Sequence, residues 1–287
     1  MEVKKIAVLG AGLMGHGICQ VAAQSGFQVH LRDIEQRFVD NGMQMIRKSL
    51  ARFESKGKLT HEQVNEILSR IHTTLSLEEA VKDADLIVEA VPEKPEIKTS
   101  VYKEADKYAP PHAIIASNTS SISITQLGSA TKRPERVCGM HFFNPPQLMR
   151  LVEVIRGIKT SDETIQTVLD MAQKMGKETV LVKKDSPGFI VNRILIPALN
   201  EAVALYWEGV AGRDDIDKAI KLGLNWPMGP LMLLDYIGAD TTLSIAEVLT
   251  KGINPKFHPT AGLKQMVRAN LLGRKTGKGF YDWTEKK

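Results

Sequence analysis

Apolar residues in the first two thirds of the chain gather into short β-branched runs separated by stretches of helical period. Lys5 to Gly10, Gln28 to Asp33, Leu86 to Val91, Ala113 to Asn118 and Arg136 to Phe143 read as strands. Most of these runs are almost continuously apolar, the pattern of parallel strands buried on both faces. Leu13 to Ser25, Glu35 to about Lys56 and Pro95 to Tyr108 read as the helices between them. This alternation predicts a doubly wound, mainly parallel α/β sheet with right-handed crossovers. Leu151 to Arg156 and Glu178 to Val182, separated by a helix starting near Asp162, extend the same sheet.

After Asp185-Ser186-Pro187-Gly188 the period changes, and Phe189 to Trp207 and most of the remaining chain are helical without a convincing strand. The expected division is an α/β domain over 1–184 and a smaller all-helical domain over 185–287. Ile194, Leu195, Leu199, Leu205, Leu231, Leu233 and Leu234 fall in the helical part. Two readings stand for them: more apolar surface than one copy can bury, which points to a homodimer, or a single compact helical core.

Composition narrows the class. A chain of 287 residues with 43% hydrophobic and 25% charged residues has the makings of proper buried cores. Charges are spread without single-sign blocks or biased tracts, so disorder is expected only at the last few residues. Met1-Glu2-Val3-Lys4-Lys5 leads straight into an apolar strand and is expected to be folded structure, not a signal segment. No stretch approaches the roughly 20 apolar residues of a membrane helix. Two cysteines, Cys19 and Cys138, exclude a disulfide framework and favour a reducing, cytoplasmic compartment. The net charge of +5 implies a mild attraction for anions. Nucleic acid is not an expected partner, because no basic reading module is present, and no metal site is assigned.

Chemistry first becomes legible at Gly10-Ala11-Gly12-Leu13-Met14-Gly15, a G-x-G-x-x-G that follows a strand and opens a helix. In a Rossmann-type fold Gly10 permits the tight turn, Gly12 lets backbone approach a pyrophosphate, and Gly15 lets helix pack on strand, while Leu13 and Met14 lead into the helix N-terminus. Asp33 ends the second strand, where a carboxylate can hold the ribose hydroxyls and repel a 2′-phosphate. NAD is therefore expected over NADP, although a suitably aimed Arg32 would work against that preference.

His141 closes a strand at the edge where open α/β sheets bind ligands, and an imidazole there suits a reaction in which a carbinol loses hydride and a proton together. Glu153 interrupts an apolar strand, where an unpaired carboxylate would be costly and a histidine partner would relieve the cost. Taken singly, a core histidine and a strand glutamate facing water remain open. Ser117-Asn118-Thr119-Ser120-Ser121 concentrates polar groups at another strand end; Asn118 is assigned to the cofactor and Ser120 to the substrate, with helix capping as the other reading. Glu93 and Lys98 are read either as site residues or as an ordinary helix-start glutamate and surface lysine. Lys48, Arg52 and Lys56, with Ser49 beside them, form a basic stripe, either a phosphate-binding face or a solvated one.

With these residues assembled, the chain resembles the L-3-hydroxyacyl-CoA dehydrogenase family nearly end to end, most closely its stand-alone bacterial 3-hydroxybutyryl-CoA members. The motifs are Val8 to Gly15, Ser117 to Ser121, His141-Phe142-Phe143-Asn144-Pro145, Leu151 to Val154, Pro187-Gly188-Phe189-Ile190-Val191-Asn192-Arg193 and Lys275-Thr276-Gly277-Lys278-Gly279-Phe280-Tyr281. The resemblance implies that His141 is the base and Glu153 its partner, with Ser120 and Asn192 holding substrate oxygen. It implies that Asp33, Glu93, Lys98, Asn118, Asn144 and Lys275 line the NAD site, and that Ser49 and Lys56 contact the acyl-CoA. It further implies dimerisation through the helical domain and a place in fatty-acid or butanoate metabolism. Two rivals remain: a dehydrogenase of a sugar acid or small hydroxy acid, and a non-catalytic, crystallin-like NAD-binding protein.

Overall fold

The computed structural model describes residues 3–284; Met1, Glu2 and residues 285–287, on which the expectations of a folded start and a disordered end partly fall, lie outside the described residues. The chain divides between Ser186 and Pro187 into two compact units. That is two residues beyond the expected 184/185 boundary, because Asp185 is tied into the first unit. Its carboxylate accepts hydrogen bonds from Ser123 Oγ (2.6 Å) and the Thr125 amide (2.9 Å).

The first unit is built on strands β1 (Lys5–Leu9), β2 (Gln28–Arg32), β3 (Ile71–Thr74), β4 (Leu86–Glu89), β5 (Ile114–Ser117), β6 (Val137–Phe142), β7 (Leu151–Arg156) and β8 (Glu178–Val182). They form one sheet in the order β3-β2-β1-β4-β5-β6-β7-β8. Helices α1 (Gly15–Gln24), α2 (Gln36–Ser55), α3 (His61–Ser69), α4 (Leu77–Val81), α5 (Pro95–Tyr108), α6 (Ile124–Ser129) and α7 (Asp162–Lys174) connect the strands. The seven expected strands are present. β3, which pattern reading did not predict, is an edge strand paired only with β2 and buries Ile71 alone among its four residues. All pairings are parallel except β6 with β7. The connection over 143–150 is too short for a parallel crossover, which takes a dozen or more residues, so the chain must turn back on itself. This reversal sets His141 directly opposite Glu153 in the register.

The central strands bury Ile6, Val8, Leu31, Leu86, Val88, Ile114 and Met140 almost completely, and helices cover them with Ile18, Ile46, Leu50 and Val168. Cys19 and Cys138 are buried there too; burial pushes the Cys138 thiol up to about 12 and raises that of Cys19 as well, so both are inert packing residues.

The second unit consists of α8 (Val191–Trp207), α9 (Arg213–Gly223), α10 (Pro230–Ile237), α11 (Ala239–Gly252) and α12 (Ala261–Arg268). Leu199, Leu231 and Leu234 form its core with Leu263, and Leu195, Leu205 and Leu233 pack against them. Of the apolar residues singled out in the sequence only Ile194 is exposed, joined by Trp207, Val210, Leu222 and Leu224. Asp217 and Asp235, buried on α9 and α10, hold the segment after α12: the amides of Phe280 and Tyr281 and the Trp283 indole donate to Asp235, and the Tyr281 hydroxyl to Asp217. Among the described residues no helix is long and apolar enough to cross a membrane.

Candidate active site

The strand order places β1 between β2 and β4, so the chain leaves β1 at the point where the winding direction reverses, which is where such sheets bind ligands. Gly10 takes φ +103°, and a Cβ there would lie 2.6 Å from the Ala90 carbonyl oxygen. At Gly15 a Cβ would lie 1.7 Å from the Gly10 carbonyl oxygen, so turn and helix meet only without a side chain. Above Gly12 there is nothing within 4 Å, and Leu13 is exposed beside it. Bare backbone at the start of a ten-residue helix is the shape and polarity a pyrophosphate requires.

Asp33 braces this turn. Its Oδ2 accepts from the Ala11 amide and its Oδ1 from the Ile34 amide, both at 2.7 Å, and each oxygen keeps acceptor capacity for a ribose hydroxyl. Arg32 donates through Nε to the Leu75 carbonyl (3.1 Å), an engagement that competes with any hold on a 2′-phosphate. The arrangement fits NAD. Asp33→Ala should raise the KM for NAD by about ten- to a hundredfold, the worth of charged hydrogen bonds, and narrow the gap to NADP. Steady-state kinetics with both cofactors checks this, and unchanged discrimination would sink the assignment.

Lys98 is not the surface lysine that its sequence context allowed. It is 1% exposed, and its ammonium lies 2.6 Å from Glu89 Oε1, 3.2 Å from the Val91 carbonyl and 3.2 Å from Glu93 Oε2. Glu89, at the end of β4, is wholly buried and also accepts from the Val91 amide and from Ser117 Oγ, both at 2.7 Å. Burial holds the Glu89 carboxyl above its usual range against the pull of Lys98, Ser117 and Val91. Glu93 is only partly covered; its partial burial is outweighed by Lys98 and by donors from Thr119, Ser121 and Ser120, which bring it below the usual range. Those donors include the Ser120 (3.0 Å) and Ser121 (3.1 Å) amides, so Glu93 organises the loop after β5. Asn118 lies in that loop, and its Oδ1 accepts from the Phe142 amide at 2.8 Å, next to His141. Glu89 escaped pattern reading although it carries the same signal as Glu153, an acid inside an apolar strand.

His141 is 5% exposed and Glu153 not at all. Nδ1 of the imidazole lies 2.7 Å from Glu153 Oε2, and the Phe143 ring packs at 4.6 Å, tilted by 55°. With Nδ1–H given to the carboxylate, Nε2 of the neutral ring is the acceptor. The following loop holds Asn144, which is exposed, and is pinned from below by Lys177, whose ammonium donates to the Pro146 (2.5 Å) and Met149 (2.8 Å) carbonyls.

Four further candidates belong to other elements. Ser49 is half-buried on α2 near exposed Lys48 and Arg52, and Lys56 is exposed at the helix end. Asn192, in the first turn of α8, and Lys275 belong to the second unit. The Lys275 ammonium is paired with Asp240 and lies 3.5 Å from Thr241 Oγ1.

Sheet order, glycine turn, strand-end aspartate and buried histidine–glutamate pair define an NAD-binding Rossmann-fold oxidoreductase. The family model for the NAD-binding domain of 3-hydroxyacyl-CoA dehydrogenase matches residues 5–186, and that for its C-terminal domain residues 188–283. The chain belongs to the 3-hydroxyacyl-CoA dehydrogenase family, whose members are NAD-dependent enzymes. It is 49% identical over 287 residues to the "probable 3-hydroxybutyryl-CoA dehydrogenase" of Bacillus subtilis, covering 100% of this chain and 99% of the relative. It is 48% identical over 282 residues to the 3-hydroxybutyryl-CoA dehydrogenase of Clostridioides difficile, covering 98% and 100%. The crystal structure of (S)-3-hydroxybutyryl-CoA dehydrogenase from Ralstonia eutropha superposes with a TM-score of 0.94 at 43% identity, over 99% of this chain and 100% of that one.

Proposed function

We propose that this chain oxidises (S)-3-hydroxybutyryl-CoA to acetoacetyl-CoA and catalyses the reverse reduction, with His141 and Glu153 as the acid–base pair. The observation that carries the reading is the buried 2.7 Å contact between His141 Nδ1 and Glu153, with the names of the full-length relatives supplying the substrate. When bound, NAD would supply the acceptor for the hydride from C3. His141 Nε2 takes the hydroxyl proton, and the Glu153 carboxylate stabilises the resulting imidazolium. In reduction the same proton returns from Nε2 to the forming alkoxide. Ser120 and Asn192 hold the substrate oxygen. Asp33 takes the ribose; Glu93, Asn118, Asn144 and Lys275 surround the remainder of the cofactor, and Lys98 serves the same site from beneath, through Glu93. Ser49 and Lys56 take the CoA portion, with Lys48 and Arg52 adding positive charge beside them.

A homodimer formed through the helical unit belongs to the same proposal, supported by the exposed Ile194, Trp207, Val210, Leu222 and Leu224, as does a cytoplasmic setting, supported by two buried thiols.

The test is NADH oxidation with acetoacetyl-CoA against free acetoacetate. Binding energy from the remote nucleotide portion is available only to the thioester, so its kcat/KM should be higher by about a hundredfold or more. Equal values would favour a small hydroxy-acid dehydrogenase, and NADH binding without turnover of either compound would favour a non-catalytic protein.

A further inference from the structure

We infer that Glu89 is a positioning residue of the cofactor site, acting through Lys98 and Ser117 to hold Glu93 and the loop carrying Asn118 and Ser120. The inference rests on the proposed place of Glu93, Asn118 and Ser120 in the NAD site. It adds a residue with no access to any ligand: Glu89 is 0% exposed and faces only protein.

Two routes run from its carboxylate to the same loop. Through Oε1 it fixes the Lys98 ammonium at 2.6 Å. Lys98 spends its remaining donors on the Val91 carbonyl and Glu93 Oε2, so all three N–H groups are committed and the ammonium has one position. Glu93 Oε1, on the other side of that carboxylate, receives the amides of Ser120 and Ser121 and the hydroxyls of Thr119 and Ser121. Through Oε2 Glu89 accepts from Ser117 Oγ at 2.7 Å, and Ser117 Oγ in turn accepts from the Thr119 amide at 3.1 Å. Glu89 also reaches the loop through its backbone, since its carbonyl accepts from the Asn118 amide at 2.8 Å.

Charge makes the arrangement specific. A buried ammonium with Glu93 as its sole anion would draw that carboxylate inward, away from the loop amides. Glu89 supplies the second anion from below, so Lys98 is shared and Glu93 stays turned toward Ser120 and Ser121. A fully buried ion pair is poor as a stability device, because desolvation offsets much of the attraction; as a support that fixes a more exposed group, it has a use.

Glu89→Gln keeps the shape, removes the second anion and leaves one acceptor oxygen where the carboxylate offers two. NADH binding, followed by fluorescence titration, should weaken by about tenfold in Glu89→Gln and by at least as much in Glu93→Gln, with Glu89→Gln/Glu93→Gln no weaker than Glu93→Gln alone. That non-additivity is the signature of one residue working through the other, and a merely structural Glu89 would lower the melting temperature without producing it. Should Glu89→Gln not fold, Ser117→Ala cuts the second route with the ion pair intact and should weaken NADH binding by a few fold. A folded Glu89→Gln, or in its place Ser117→Ala, with wild-type affinity while Glu93→Gln is impaired overturns this inference alone. Wild-type affinity in Glu93→Gln overturns the assignment of Glu93 to the site, and the inference with it.

Discussion

Replacing His141 with glutamine should lower kcat by about a hundred- to ten-thousand-fold, the range typical for removing a general acid–base group, while NADH affinity and melting temperature stay close to those of the native chain. Glutamine fills a similar volume, and its amide N–H can still be offered to Glu153, so the buried carboxylate is not abandoned. What it cannot do is accept a proton. Alanine is the poorer choice, because it removes the 2.7 Å partner of a carboxylate at zero exposure, and removing one member of a buried pair costs about 3–5 kcal/mol; inactivity would then report folding as much as chemistry. Turnover of acetoacetyl-CoA near the native rate in a folded His141→Gln chain would remove His141 from the proton transfer. Glu153→Gln should cost less, since it leaves the base in place and removes only the charge that stabilises the imidazolium.

The pair itself was legible because each partner violated its surroundings: a histidine at a strand end and a glutamate within an apolar strand. The sequence pattern did not contain the direction of β7, and it is that antiparallel reversal which sets the two residues opposite one another. The structure accounts for it by the length of the 143–150 connection, since no parallel crossover fits in eight residues. β3 was missed for a different reason. Ile71-His72-Thr73-Thr74 offers one buried apolar side chain, and an edge strand held by backbone pairing on one side leaves almost no hydrophobic signature.

Lys98 and Glu89 show where local reading fails. A lysine five residues after a glutamate, at the start of a helix, has the pattern of a solvated surface, and only the tertiary fold turns it under the β4 end into contact with Glu89. The glycine turn and Asp33 were readable because their partners lie within a few dozen residues in an obligatory strand–turn–helix order. Asn192 and Lys275 carry no such local signature, and only resemblance to a family brought them into view. Beyond Lys275 the Lys275 to Tyr281 motif had no residue-level account, and the structure now supplies one: Gly279 approaches Asp235 so closely that a Cβ would sit 2.1 Å from its carboxylate.

Asp235→Ala should therefore destabilise the protein more than the loss of any surface ion pair. Asp235 is 1% exposed and accepts from the Phe280 amide at 3.0 Å, the Tyr281 amide at 2.8 Å and Trp283 Nε1 at 2.9 Å. Removing it strands three donors, and leaving a buried donor unsatisfied costs about 1–3 kcal/mol each. Even with water reaching one of them, the loss is about 3 kcal/mol, a large part of a typical 5–15 kcal/mol. Arg150→Gln breaks the pair with Glu178, in which both side chains are more than two-thirds exposed, and should be nearly silent by comparison. Burial and the neighbouring Asp217 raise the Asp235 carboxyl, against the three donors, so Asp235→Asn, which keeps an acceptor without the charge, should recover part of the loss. Thermal denaturation orders the three variants, and limited proteolysis locates the damage, with new cleavage expected after Lys275 or Lys278 in Asp235→Ala. If the motif acts as a clasp on α10, NADH affinity measured well below the melting temperature will stay within a few fold of native. A stable Asp235→Ala chain with lost NADH binding would instead show that cofactor binding by Lys275 depends on this clasp.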